Sequence, residues 1–147
     1  MKQKTNARVV YVSLPVRDVA RSRAFWAGLG FGFDERFSDD RSLCLVVKEG
    51  SVYAMLIARD FFQTFTDRPV ADGESTQVLL ALDVGSRARV DEVVKLALES
   101  GGTRYLPPDD QGWMYLDRFR DPDGHPWEIA FIDEARLPKE GEGEERT

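Results

Sequence analysis

A metal centre, a nucleophile or a general base needs lone pairs on His, Cys, Asp or Glu side chains at workable spacing. This sequence holds one histidine, His125, and one cysteine, Cys44. His125 follows Asp121-Pro122-Asp123-Gly124, where Pro presets φ and Gly supplies positive φ, and is read as a turn residue. Cys44 lies in the apolar run Leu43–Val47 with no histidine nearby to act as its base, and is read as a small buried apolar side chain. No Ser-His-Asp arrangement, CxxC pair or glycine-rich phosphate loop occurs. What remains is recognition chemistry: aromatic rings such as Trp113 and Tyr115 that stack on planar groups, and carboxylates that pair with amines.

The elements that must hold such residues belong to a chain of 147 residues, 42% hydrophobic and 31% charged, which reads as one soluble globular domain. One cysteine cannot form an internal disulfide, so a disulfide-framed secreted module is excluded and a reducing compartment is expected. The first residues lead into the short, Pro-interrupted apolar run Val9–Val16 rather than a secretion segment, so a cytoplasmic protein is expected. No apolar stretch reaches the roughly 18 residues of a membrane span. The formal charge of −6 argues against phosphate backbones, and no nucleic-acid partner is expected. Part of that charge is a tail, residues 134–147, with five acids and three bases; rich in Gly and Glu, it is expected to be disordered.

An internal repeat organises the rest. Tyr11–Asp18 alternates with Val12, Leu14 and Val16 on one face, and Leu79–Ser86 repeats this with Leu80, Leu82 and Val84. The same 68 positions separate Tyr11 from Leu79 and Asp18 from Ser86. Asp18 and Ser86 are N-cap residue types, so a helix is expected after each. Ser22, Phe25, Trp26 and Leu29 form the apolar stripe of the first helix; Val90, Val93, Val94 and Ala97 form that of the second. Two apolar segments about a turn then follow in each copy: Leu43–Val47 and Val52–Ala58 about Lys48-Glu49-Gly50, Met114–Phe119 and Trp127–Ile132 about Asp121-Pro122-Asp123-Gly124. The expectation is an α+β fold of two tandem βαβββ modules, about 8–58 and 77–133, within a single domain over 1–133. Their curved sheets pair into an open cleft with the helices outside. Residues 59–76, with Phe61, Phe62 and Phe65, are too aromatic for a free linker and should pack back as a flap or short helix.

The stretches VSLPVRDVARSRAFWAGLGF at 12–31, SGGT at 100–103 and DPDGHPWEI at 121–129 resemble the vicinal oxygen chelate superfamily over about residues 8–133. That superfamily contains glyoxalase I, extradiol dioxygenases, fosfomycin-resistance enzymes and bleomycin-binding resistance proteins. The resemblance implies a divalent metal in the cleft, held by His or Glu on the first and last strands of each module. Carried onto this chain, those positions are Tyr11, with a margin reaching Val12, then Ala54 or Met55, Leu79, and Glu128. Only Glu128 is a ligand-type residue, and one carboxylate does not make a site, because such sites need three or four protein ligands. The expected cofactor is therefore none, with one divalent metal ion at Glu128 as the alternative.

Strand alternation places Tyr11, Ser13, Leu79, Ala81 and Glu128 in the cleft, and sends Trp127, Ile129 and Phe131 to the helix. Either Trp113, Tyr115 and Asp117 also face the cleft, or Met114, Leu116 and Arg118 do; the aromatic set is favoured because large rings suit a cleft wall. Glu128 is open to three readings: a carboxylate for a ligand amine, a hydrogen bond to Tyr11, or a structural pair with Arg118 or Arg120. The resulting expectation is a metal-free small-molecule binding protein of the bleomycin-resistance type, taking an aromatic or cationic ligand and sequestering an antibiotic or metabolite. The alternatives are a metal-dependent lyase or extradiol dioxygenase-like enzyme with atypical ligands, and a structural or regulatory dimer. The resemblance also implies a homodimer.

Overall fold

A computed structural model describes residues 6–138. The chain is α+β, with two open sheets of three and four strands. It divides into two compact units: the first runs to Ser75 and takes in the Pro122–Gly124 turn, and the second holds Thr76–Asp121 and continues from His125.

The first unit contains β1 (Val10–Val16), α1 (Val19–Gly28), β2 (Ser42–Lys48), β3 (Val52–Ala58) and the short α2 (Arg59–Phe62), its sheet ordered β1-β3-β2. Asp18 caps α1 by accepting from the Arg21 N–H at 3.1 Å. The helix packs on β2 and β3 with Phe25 and Trp26 fully buried. Leu14, Leu56 and Leu43 share one face of the sheet through the ladder, and the last two are fully buried with Val16. Each such side chain is worth about 1.5–3 kcal/mol of hydrophobic stabilisation. The Asp123 carboxylate, on its turn, accepts from the Arg17 N–H at 2.8 Å and from Arg21 Nη2 at 3.1 Å, which ties that turn to the start of α1.

The second unit contains β4 (Leu80–Asp83), α3 (Arg87–Glu99), β5 (Asp109–Asp110), β6 (Met114–Arg120) and β7 (Pro126–Ile132), ordered β4-β7-β6-β5. Ser86 caps α3 by accepting from the Arg89 N–H at 3.1 Å, and the buried residues of the helix include Val90, Val93, Val94 and Ala97. The register Leu80–Trp127, Leu82–Ile129 matches Leu14–Leu56 in the first unit, so β4 and β7 answer to β1 and β3.

Three expectations need correction. The first module does not form a full βαβββ: opposite β2 stands a single bridge, Phe33–Leu45, where the second unit has β5. Asp34 ends that ladder by capping a 3-10 turn over Glu35–Phe37, accepting from the Arg36 N–H at 3.1 Å. The tail does not lose structure at 134, since Glu134–Arg136 is a 3-10 turn capped by Asp133; residues 139–147, where the rest of the expected disorder falls, lie outside the described residues. The second apolar strand is also shorter than its pattern, leaving Leu79 one residue before β4. The connector does pack back: after α2 and a 3-10 turn over Gln63–Phe65, Phe61 meets Phe65 edge-on at 4.9 Å and lies 4.0 Å beneath the Arg41 guanidinium. Among the described residues no helix is long and apolar enough to cross a membrane.

Candidate functional site

The second unit's sheet has two unlike faces. Its helix face carries Tyr115, Asp117 and Phe119 of β6 opposite Phe131, Ile129 and Trp127 of β7. The Tyr115 hydroxyl donates to Asp91 Oδ1 of α3 at 2.6 Å, which fixes this as the side under the helix. That bond pushes the Tyr115 phenol up to about 12. Asp117, buried on the same face, accepts from Arg104 Nη1.

The orientation favoured for Tyr115 is therefore reversed: Tyr115 and Glu128 lie on opposite faces. Phe119 and Trp127 are fully buried rings that belong under α3, and the period of two along β6 carries Tyr115 with Phe119. Trp113, which precedes β6, goes the other way and packs with Ile132 against the buried cluster of Met114, Leu116 and Ala130.

The helix-free face is thus Met114, Leu116 and Arg118 opposite Ile132, Ala130 and Glu128, with Ala81 and Asp83 alongside on β4. Its chemistry changes along the strands from an apolar end at Trp113 and Met114 to a charged end at Arg118. The Arg118 and Glu128 side chains are directly opposite, Nη2 to Oε2 3.9 Å, close enough to attract but too far to share a hydrogen bond. Arg118 Nη1 donates to the Pro107 carbonyl at 2.6 Å. Of the structural partners weighed for Glu128, Arg118 is the one found, while Arg120 places its guanidinium 4.4 Å over the Tyr105 ring. The Tyr105 hydroxyl is buried with no hydrogen-bond partner, and burial pushes its ionisation up. Neither Tyr105 nor the consequence of the Arg118–Glu128 pairing was legible from the repeat: Tyr105 lies in an aperiodic stretch before Pro107-Pro108. The parity of Arg118, in contrast, follows once Phe119 is assigned to the helix.

In the first unit the corresponding face carries Tyr11 and Ser13 of β1 opposite Tyr53 and Met55 of β3. Tyr11 stacks on Tyr53 at 5.4 Å with 19° between the rings, and is 57% exposed. Ser13 is exposed beside it. Cys44 lies opposite Met55 and is fully buried, and desolvation raises its thiol ionisation. His125 takes its turn place, its N–H donating to Asp121 at 3.0 Å and its carbonyl accepting from Asp121 N–H at the same distance.

The ladder also decides between Ala54 and Met55. Ser13 pairs with Met55 as Ala81 pairs with Glu128, so the equivalent of Glu128 is Met55. The four positions implied for a metal then offer a phenol and a thioether in the first unit, and hydrocarbon at Leu79 and one carboxylate in the second. A hard or borderline divalent ion wants imidazole and carboxylate, and a thioether suits soft metals. Among the described residues, no group of three His, Cys, Asp or Glu side chains is placed to hold a metal ion. These residues do not fit the metal centre that the resemblance implies.

The profile of the Glyoxalase/Bleomycin resistance protein/Dioxygenase superfamily matches residues 8–129. Solved structures share the fold. A hypothetical protein from S. aureus superposes with TM-score 0.73 at 24% identity, covering 86% of this chain and 95% of its own. A glyoxalase/bleomycin resistance protein/dioxygenase family enzyme from Burkholderia phytofirmans PsJN gives 0.70 at 22%, covering 86% and 99%. The bleomycin resistance determinant encoded on the transposon Tn5 gives 0.58 at 21%, covering 84% and 97%. No curated protein sequence matches.

Proposed function

The chain belongs to the glyoxalase/bleomycin resistance protein/dioxygenase superfamily, and from that premise we propose that it binds a small molecule without a resident metal. The observation that carries this reading is the donor set: Tyr11, Met55 and Leu79 stand at three of the four inherited metal positions, and Glu128 at the fourth is opposed by Arg118. Without the electron-pair donors, no Lewis acid is held to activate a substrate oxygen. The helix-free face of the second unit instead offers what recognition needs: the partly buried Trp113 and Ile132, seated on the buried Met114 and Leu116, for a ligand body, and the Arg118–Glu128 pair for its polar end. Sequestration of an antibiotic or metabolite in the cytoplasm suits a site of this kind.

The test is elemental analysis of the purified protein after dialysis, followed by titration with nickel, zinc, manganese and iron. No stoichiometric metal is expected, and a tightly held ion would overturn the reading. A thermal-shift screen of antibiotics and aromatic metabolites should then give ligands whose affinity changes in Glu128→Gln, which alters the charge of the pair. Tyr11→Ala separately tests the first unit's face. The reading includes a second copy as partner: β1 and β4 each end their sheet, and Val10, Tyr11 and Leu79 are exposed there. Sedimentation at a dimer's mass is expected, and a monomer would remove that part.

A further inference from the structure

Among the described residues, the Tyr105 hydroxyl is the one buried side-chain polar atom with no hydrogen-bond partner. A buried phenol left unpaired costs free energy, so its presence asks for a reason. Its surroundings supply one. Arg118 is buried, yet among the described residues its guanidinium makes a single close hydrogen bond, to Pro107, and stands 3.9 Å from Glu128. A guanidinium carries five N–H donors, so most of its capacity is unspent. Arg120 lies over the Tyr105 ring. The charges acting on the Tyr105 hydroxyl are Arg118, Glu128 and Arg120, two positive and one negative. The polar end of this face is therefore donor-rich, with the Arg118 guanidinium beside the Pro107 carbonyl and the Arg120 guanidinium over the Tyr105 ring. Its other end, at Trp113, Met114 and Leu116, is apolar.

Resting on the binding reading above, we propose that the second unit recognises the carboxylate of an aromatic or branched apolar acid, with the Tyr105 hydroxyl and the Arg118 guanidinium as its donors. Glu128 serves as the counter-charge that keeps Arg118 on this face and is not itself the ligand's partner. This reverses the sign of the ligand expected from the net charge of the whole chain, because a site answers to the charges within a few ångströms and distant ones are screened.

The experiment uses the full-length protein and three probes of similar size: phenylacetate, phenethylammonium and the neutral 2-phenylethanol, with affinities from calorimetry or NMR titration. Phenylacetate is expected to bind at least about tenfold more tightly than either other probe, as a charge-assisted hydrogen bond warrants. Tyr105→Phe should weaken phenylacetate by roughly tenfold and leave 2-phenylethanol unchanged, with the Tm of the free protein unaltered or raised, since the lost hydroxyl has no partner. Arg118→Lys, which keeps the charge but loses the planar fork, should weaken phenylacetate as well. Tighter binding of phenethylammonium, equal binding of all three, or no binding of phenylacetate would each overturn the proposal. So would a lower Tm in Tyr105→Phe with unchanged phenylacetate affinity, because the hydroxyl would then serve the fold. The metal analysis is independent of these arms: a stoichiometric metal overturns the metal-free reading, whereas a cationic ligand in its absence overturns only the proposal made here.

Discussion

The two units repeat one plan and differ in what their helix-free faces present. In the first, Tyr11 stacks on Tyr53 beside Ser13 and Met55; in the second, the equivalent ladder positions carry Ala81 and Glu128, with Arg118 across from the carboxylate. Backbone equivalence reaches the single residue, since Leu14–Leu56 and Leu82–Ile129 hold the same register. Chemical equivalence does not follow. The register is fixed by which residues must go under the helix, and it leaves the alternate positions free to vary. One face has become an aromatic, uncharged surface and the other an amphipathic one, on a backbone whose relatives bear names ranging from enzyme to resistance determinant.

The helix sides are where the repeat is constrained, so the largest losses should come there and should be alike. Trp26 in the first unit and Trp127 in the second are both fully buried. Trp26→Ala and Trp127→Ala are each expected to cost about 3–5 kcal/mol in urea unfolding. A loss under about 1 kcal/mol for either would break the comparison at its strongest point, because it would mean that unit does not need its helix-side core.

The hairpin turns should separate the units. In the second, the buried Asp121 carboxylate accepts from the His125 N–H and from the Trp127 indole N–H, each at 3.0 Å. In the first, the neutral Tyr53 hydroxyl accepts from the Gly50 N–H at 2.9 Å. Asp121→Ala strands two donors, one of them on a fully buried ring, and is expected to cost about 2–4 kcal/mol; Tyr53→Phe should cost about 0.5–1.5 kcal/mol. Equal losses would show that the charged turn is no more than a closure. Next come the helix caps, alike in geometry: Asp18→Ala and Ser86→Ala are each expected to lose about 1 kcal/mol by the same unfolding measurement.

Much of this plan is legible in the sequence because it rests on local chemistry. Asp18 and Ser86 are cap residues placed before apolar stripes, and Gly50 and Gly124 adopt the positive φ that their turns require, 79° and 87°. What resists reading is set by tertiary competition. Tyr115 looks like a cleft residue until Phe119, four positions on and so on the same side of the strand, is seen to fill the space under α3. The missing strand of the first unit is likewise a tertiary outcome, where the Asp34 side chain caps a turn. Tyr105 has no periodic neighbours to assign its side, and the Arg120 guanidinium over its ring is a tertiary contact. The metal positions were legible as absences of donors, whereas the arginine that opposes Glu128 needed the register to rank it above Arg120.

The smallest effect concerns titration on the helix face, where the second unit places a phenol against a carboxylate. Tyr115 donates to Asp91, and ionising it would both break that bond and set two negative charges together, so its folded-state ionisation stands at about 12 against an ordinary value of 10.0. A group whose folded value is raised favours the fold while protonated. Its contribution is complete below about pH 10 and is lost as pH climbs from there toward about 12. Because the ring is only partly buried and its partner Asp91 is exposed, screening keeps that contribution small. The measurement is a spectroscopic titration of the phenolate band in the wild type and in Tyr115→Phe: the difference between the two curves should have its midpoint near 12. Asp91→Asn, which keeps an acceptor but removes the charge, should draw that midpoint back toward 10. A midpoint already near 10 in the wild type would mean that Tyr115 does not reach α3, and with that bond would go the observation that tells one face of this sheet from the other.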